Sequence, residues 1–354
     1  MEDFLKTLET IKNEDINILN SYNKINPYKL EFENDIYQHL IKDKYLFFDI
    51  FCKNNEVIMI CPVYGLYNIE YDKIKVKHND NYLNLKEIIY KIEYEPIVIV
   101  IFSLEENETN ITLFIEYNNY QPQKYELSHL HTTKQKLLSY TTLFKYDYEL
   151  TNLTYDYYSK QGVEHFYFYY NDEITEDITD FFANKNNITL IEWNFAYWNI
   201  RTMFDRDFIF AHHAQMGQLN HALYKYGKNN TEYMIFSDLD EFMYIEGKTI
   251  KHLVDNKDYD SYEFVNYWAQ TINNDIPSTI PTQIYKKLSD DWYNRIKSIH
   301  KTDNAKLIGV HTCTKYNTKY DIVQNKNMEL LHFYNWSKLN RKIDIGNNKY
   351  HLKF

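Results

Sequence analysis

Residues 231–244 read TEYMIFSDLDEFMY. Tyr233–Phe236 is a short apolar strand that stops at Ser237, and two aspartates two positions apart, Asp238 and Asp240, follow at once. Carboxylates spaced i, i+2 where a buried strand runs out can converge on one hard cation, leaving coordination positions for a diphosphate or water. A divalent metal at Asp238 and Asp240 is the expectation.

Outward from this stretch, strand and helix patterns alternate. Lys136–Phe144 (KLLSYTTLF) reads as a buried strand. Tyr148–Gln161 puts Leu150, Leu153 and Tyr157 on one helical face, with Gly162 in the C′ position. Val163–Tyr170 and Ile188–Trp193 read as further strands, with a short helix over Asp177–Ala183 between them. His213–Tyr226 repeats apolar residues at helical spacing and is closed by Gly227. Such alternation predicts an α/β fold, a mostly parallel sheet with helices on both faces that binds ligands beyond the carboxyl ends of its strands. The acidic cluster sits at such an end.

The first 130 residues differ. A helix over Asp3–Ile11 precedes strand-like runs at Lys44–Cys52, Glu56–Cys61, Lys73–His78, Pro96–Phe102 and Asn110–Tyr117, separated by Asn/Asp/Glu clusters with turn chemistry. The organisation expected is a β-rich accessory domain over 1–130 and an α/β domain over 131–354.

Composition narrows the chemistry. Only 7 of 354 residues are glycine and no two form a G-x-G, so glycine-rich phosphate cradles are excluded and a metal is the alternative route to a diphosphate. A net charge of −11 argues against a surface built to neutralise nucleic acid. Cys52, Cys61 and Cys313 lack C-x-x-C spacing, as expected of buried thiols in a reducing compartment. The start MEDFLKTLETIKNED is not a signal-peptide pattern, and the longest apolar run, Pro96–Phe102, is too short to cross a bilayer. An intracellular, cytoplasmic setting without a membrane span is expected, a cytosolic or viral-factory setting included.

The segment His212–Tyr244 (HHAQMGQLNHALYKYGKNNTEYMIFSDLDEFMY) resembles the core of glycosyltransferase family 92. QGVEHFYFYYND (Gln161–Asp172), RIKSI (Arg295–Ile299), GVH (Gly309–His311) and LHFYNWSK (Leu330–Lys338) are similar to its other motifs, in the same order. The resemblance covers roughly residues 136–342; the family's Asn-Glu pair after the first strand is Tyr146-Asp147 here. It implies a GT-A type nucleotide-sugar domain whose D-x-D holds a divalent metal, manganese in preference to magnesium, against the diphosphate of a donor, UDP-linked by expectation. The acceptor would be a hydroxyl of a glycan, protein or lipid.

Roles follow from that resemblance. Asp240 would coordinate the metal, with Asp238 reaching the metal, the ribose or both. His332 would be a third ligand, with His311 its competitor, and Lys338 and Lys297 would contact phosphate. Thr141, Thr142 and Asp147, with Asn171 and Asp172, stand where the first two strands would meet the nucleotide; Gln215 and Asn220 would orient the donor or the metal loop. Trp268 could stack on a sugar. If transfer inverts the anomeric centre, the outcome favoured over retention, a carboxylate must take the acceptor proton; Asp290, Asp291, Asp260 and Glu263 are the candidates. Two alternatives stand beside this reading: a degenerate, non-catalytic glycan- or protein-binding module, and a metal-dependent phosphoryl hydrolase. The D-x-D-x-T phosphatase pattern itself fails at Phe242.

Overall fold

The computed structural model describes residues 28–30, 45–63, 69–91, 95–105, 109–130, 135–146, 148–185, 187–197, 201–204, 207–210, 214–271, 285–317, 319–333 and 336; the side chains of 148–149, 201–204, 207–210, 270–271, 285–294 and 326 are not among those described. The helix expected at Asp3–Ile11 lies outside them, as do Asp147 and Lys338. The chain divides into two compact units, one of Asn23–Gln135 with Phe195–Asn230, the other of Met1–Tyr22, Lys136–Asn194 and Thr231–Phe354.

The N-terminal strands are β1 (Asp49–Lys53), β2 (Glu56–Cys61), β3 (Ile74–His78), β4 (Asn81–Tyr82), β5 (Asn84–Lys91), β6 (Ile97–Ser103), β7 (Asn110–Tyr117) and β8 (Gln123–Leu130). They form one sheet in the order β4-β3-β7-β8-β1-β2-β6-β5. Its tight turns use Asn and Asp where glycine is usual. Asn54 and Asn55 join β1 to β2 at φ of 49° and 60°, and Asn79 and Asp80 join β3 to β4 at 45° and 65°; two successive positive φ angles match the twist of a hairpin. Asn and Asp tolerate this region better than other side chains do.

The second unit opens with β9 (Lys136–Phe144), α1 (Tyr148–Lys160), β10 (His165–Tyr170), α2 (Glu176–Phe182) and β11 (Ile188–Glu192). Every residue of β10 is buried, as a strand covered on both faces requires. Gly162 takes the C′ position of α1 at φ +94°.

The segment that follows, expected within the 131–354 domain, groups with the N-terminal strands. It comprises β12 (Arg201–Phe204), β13 (Asp207–Phe210) and α3 (Ala214–His221), which continues as a π-helix over Ala222–Gly227. All eight residues of α3 are buried, and a Cβ on Gly217 would lie 2.7 Å from the Phe48 ring. Lys53, 1% exposed, donates to the carbonyls of Tyr224 (3.2 Å), Lys225 (2.8 Å) and Lys228 (2.6 Å), meeting the open carbonyls of a helix end with a cation. Asp49, buried at 2%, accepts from His221 Nε2 at 2.6 Å and Lys225 Nζ at 2.8 Å. Burial opposes the Asp49 charge, yet Lys225 and His221 hold its carboxyl down at about 2; burial lowers His221 to about 4.

The second unit resumes with β14 (Thr231–Phe236), β15 (Glu241–Ile245), α4 (Ile250–Asp255), β16 (Ser261–Thr271), β17 (Tyr285–Lys301), β18 (Ala305–Ile308), β19 (Cys313–Tyr316) and β20 (Ile322–His332). Its main sheet runs β11-β10-β9-β14-β17-β16-β20-β15. The pairings β11-β10, β10-β9 and β9-β14 are parallel, as expected. Beyond β14 the sheet becomes mixed: β14-β17, β17-β16 and β20-β15 are antiparallel, and β16-β20 is parallel. The mostly parallel sheet predicted from strand and helix alternation is thus confined to its first half.

Candidate functional site

The S-D-L-D-E stretch joins β14 to β15, and the sheet holds it almost atom by atom. Tyr140 on β9 donates to the Ser237 and Asp238 carbonyls at 3.1 and 3.3 Å. Thr154 on α1 donates to the Leu239 carbonyl at 2.9 Å, and Tyr158, one turn on, to that of Glu241 at 2.9 Å. The Phe333 amide takes the Asp240 carbonyl at 2.8 Å. Each carbonyl from Ser237 to Glu241 therefore has a donor, which fixes the direction of the intervening side chains. Leu239 and Phe242 are buried, and Phe242 packs against Tyr157, Tyr158, Phe333 and Trp336.

On this frame three carboxylates meet one lysine and one histidine. Asp238 remains 38% exposed, whereas Asp240 and Glu241 are buried. Lys297 on β17, buried, places Nζ 2.9 Å from Asp238 Oδ2 and 3.3 Å from Glu241 Oε2. Glu241 Oε2 also accepts from Ser237 Oγ at 3.1 Å and from the Asp238 amide at 2.9 Å. His332, last residue of β20, lies opposite Glu241 in the ladder; its Nε2 is 3.7 Å from Asp240 Oδ2. Its Nδ1 donates to Asn266 Oδ1 at 3.1 Å, and the Trp268 ring packs on it with centroids 4.5 Å apart.

The charges read each other. Burial works against the Lys297 ammonium, but Asp238 and Glu241 outweigh it and hold its pKa above the ordinary value. Burial likewise disfavours a charged His332, and Asp240 reverses the balance and raises it. Glu241 is pushed up by burial, against the pull of Lys297.

Of the residues expected at the metal, Asp238, Asp240 and His332 are brought together. Lys297, expected at phosphate, is instead buried beneath the carboxylates as their counter-ion. His311 stands in the β18–β19 turn, its Nδ1 donating to the Ile296 carbonyl at 3.2 Å, while His332 is the histidine at Asp240. Trp268 is packed on His332, with the Arg295 guanidinium 5.7 Å from its ring centre.

Thr141 and Thr142, expected at the nucleotide, are buried within β9, and Thr141 donates to the Tyr167 carbonyl at 3.2 Å. The end of β9 is formed instead by Lys145 and Tyr146, facing the end of β10. There Lys145 pairs with Asp172 at 2.6 Å, and Asn171 donates to the Trp193 carbonyl at 2.8 Å. Tyr146 is 54% exposed with φ at +68°, its hydroxyl 3.3 Å from Asp172 and Lys145 4.9 Å from its ring centre. Sequence reading gave no role to Lys145, Tyr146, Glu241 or Asn266; adjacency to D-x-D could have flagged Glu241, and its place at the family's Asn-Glu pair could have flagged Tyr146.

Gln215 and Asn220 belong to the other unit, where Gln215 accepts from the Tyr197 hydroxyl at 2.8 Å and Asn220 donates to the Met216 carbonyl at 2.9 Å. Of the base candidates, Asp260 accepts from Asn304 Nδ2 and the Asp321 amide. It is level with Tyr233 through Lys301, five residues and about 16 Å before Asp238 at ~3.3 Å per residue. Glu263 accepts from Thr312 at 2.9 Å and is raised by burial. It is the register partner of Ser298, whereas Lys297 partners Phe264, so Glu263 and Lys297 point to opposite faces. Asp291 stands opposite Tyr267; the side chains of Asp290 and Asp291 lie outside the described set.

Among the described residues no three His, Cys, Asp or Glu side chains close on a point where they alone would hold a metal. Asp240 and His332 form an open pair. Donors about 2.1 Å from one cation lie at most about 4.2 Å apart, so their 3.7 Å separation lets both reach it. A hard cation held this way keeps positions for water and phosphate oxygens.

Among the described residues no helix is long and apolar enough to cross a membrane. A family model described as glycosyltransferase family 92 matches residues 153–352, and no curated protein matches the chain. The match runs from within α1 past the end of β20 and takes in Ser237–Phe242, Lys297 and His332. With more than half of its 354 residues inside that match, the chain belongs to glycosyltransferase family 92.

Proposed function

We propose that this chain transfers a sugar, with a divalent metal, from a nucleoside-diphosphate donor to a hydroxyl of a glycan, protein or lipid. The observation that carries the proposal is the Asp240/His332 pair at 3.7 Å on a loop whose carbonyls from Ser237 to Glu241 each meet a donor. Three carboxylates gathered beside Lys297 and His332 support a divalent cation over a bare phosphate as the first occupant. Asp240 and His332 would hold the metal, manganese in preference to magnesium because an imidazole joins the carboxylate. When bound, it would neutralise the diphosphate as the glycosidic bond breaks.

The remaining work belongs to the chain. Lys297 pairs with Asp238 and Glu241 and orients both carboxylates, and Asp238, the exposed member, would reach the metal or the ribose. At the ends of β9 and β10, the Tyr146 ring and Asp172 offer a stacking face and a hydrogen-bond acceptor for a nucleoside, the UDP donor being the expected one; the carboxyl ends of parallel strands are where such folds bind ligands. Inversion would require a base within hydrogen-bond reach of the acceptor hydroxyl, for which Asp290, Asp291, Asp260 and Glu263 stay the candidates.

The test is hydrolysis of, and transfer from, a panel of nucleotide sugars by the purified full chain with and without Mn²⁺. Turnover that needs Mn²⁺ and is lost in Asp240→Asn supports the proposal. Neither binding nor turnover of any donor, or full activity in Asp240→Asn, would overturn it; donor binding without turnover would identify a non-catalytic module.

A further inference from the structure

Asn266 is a fully buried amide in the middle of β16, among Phe264, Val265 and Trp268. Burying an amide in such surroundings costs free energy unless it is hydrogen-bonded. Its oxygen meets His332 Nδ1 at 3.1 Å, while its Nδ2 has no partner among the described residues. A strand position that keeps half of a buried amide unsatisfied needs a reason.

The reason lies in which nitrogen of His332 is left over. Glu241 Oε1, the other acceptor near Nδ1, stands at 3.6 Å, beyond hydrogen-bond length. The Nδ1–H is therefore committed to Asn266, and Nε2 faces Asp240. Trp268, packed on the same imidazole at 34° between planes, restrains it from turning. We infer that Asn266 is a positioning residue that holds His332 in the Nδ1–H tautomer, presenting Nε2 beside Asp240 to a divalent cation. The inference rests on the metal reading given above. Groups that orient a ligating histidine in this way typically change metal affinity 10–100-fold when removed.

The test uses the full chain, Mn²⁺ alone as probe, and three variants: Asn266→Leu, Asn266→Asp and His332→Ala. Asn266→Leu is expected to weaken Mn²⁺ binding by calorimetry about 10–100-fold, with the thermal midpoint retained. Asn266→Asp, which still accepts from Nδ1–H, should restore it. In the metal-free protein the ¹⁵N signals of His332 should report Nδ1 protonated, and Asn266→Leu should shift that pattern toward the other tautomer. Loss of Mn²⁺ binding in His332→Ala but not in Asn266→Leu would overturn the role of Asn266 and leave the metal reading standing. Unchanged binding in His332→Ala would overturn the metal reading itself, and an Nε2–H tautomer in the wild type would overturn the inference whatever the metal does.

Discussion

Replacing Lys297 with methionine keeps its hydrophobic stem and removes only the ammonium, so the change isolates one charge. That charge stands 2.9 Å from Asp238 and 3.3 Å from Glu241. At an effective dielectric of about 20, each contact corresponds to roughly 5 kcal/mol of gross attraction, most of it offset by desolvation. Its two partners respond differently to the loss. Asp238 is 38% exposed and can turn to water; Glu241, 3% exposed, cannot. The net cost should therefore be that of one carboxylate stranded in the interior, about 3–5 kcal/mol. The double variant Lys297→Met/Glu241→Gln should regain most of that loss, because removing both members leaves no unpaired charge. Lys297→Met/Asp238→Asn should regain much less. Two compact units need not unfold in one step, so urea denaturation should be paired with amide exchange at β14 and β17, where Phe236 and Ser298 are ladder partners. A loss under about 1 kcal/mol for Lys297→Met, or equal rescue by the two double variants, would refute the assignment of Glu241 as the stranded partner.

Acid should loosen the unit that holds Asp49. His221 falls from 6.5 to about 4 on folding, so below pH 6.5 the unfolded chain takes up a proton that the folded one refuses; about 3 kcal/mol should be lost between pH 6.5 and 4. Asp49, lowered from 3.8 to about 2, extends the loss at still lower pH; a stability profile flat from pH 7 to 4 would contradict the His221 effect, and one flat from pH 4 to 2 the Asp49 effect. Gly217→Ala should cost about 1–3 kcal/mol through overpacking, since its Cβ would meet the buried Phe48 ring at 2.7 Å; a melting temperature at or above wild type would show that the ring gives way. Gly162→Ala should also destabilise, because φ there is +94° and the new Cβ would lie 2.5 Å from Lys251 Cβ. A thermal melt indistinguishable from wild type would show that the turn can relax.

Much of this fold was legible where chain chemistry is local. The strands at Glu56–Cys61 and Asn110–Tyr117, the helix from Tyr148 and the left-handed Gly162 all follow from apolar period or turn chemistry, and the structure reproduces them. The D-x-D loop was legible for the same reason, as a strand ending in acid. The antiparallel half of the main sheet was not. β17 reads YKKLSDDWYNRIKSIHK, with charges interrupting any alternation, because its lysine at 297 is an interior counter-ion. Long-range pairs were equally hidden: Asp49 meets a histidine 172 positions away, and no spacing rule joins them. Gly227 shows how far such a local reading reaches. It does close its helix, but the positive φ that follows falls on Asn229, at 62°, and the helix carbonyls are met by Lys53.

The composition, poor in glycine and rich in tyrosine, has physical work in this fold. A chain with 7 glycines still needs left-handed turns, and six of the eight described non-glycine residues with positive φ are Asn or Asp. With 36 tyrosines it has many apolar rings that end in a donor, and the interior uses them: Tyr140 and Tyr158 fill the core with their rings while their hydroxyls hold the carbonyls of the D-x-D loop. Phenylalanine would match the packing and leave those carbonyls open. Tyr158→Phe therefore separates the two roles. Besides donating to Glu241 it accepts from the Met243 amide, so removing the hydroxyl leaves two buried backbone groups unmet, at about 1–3 kcal/mol each. The ring volume is unchanged, so any loss of order should concentrate at Glu241–Met243. Amide exchange at Met243 is the direct readout, and protection equal to wild type would mean that the loop is held by packing alone.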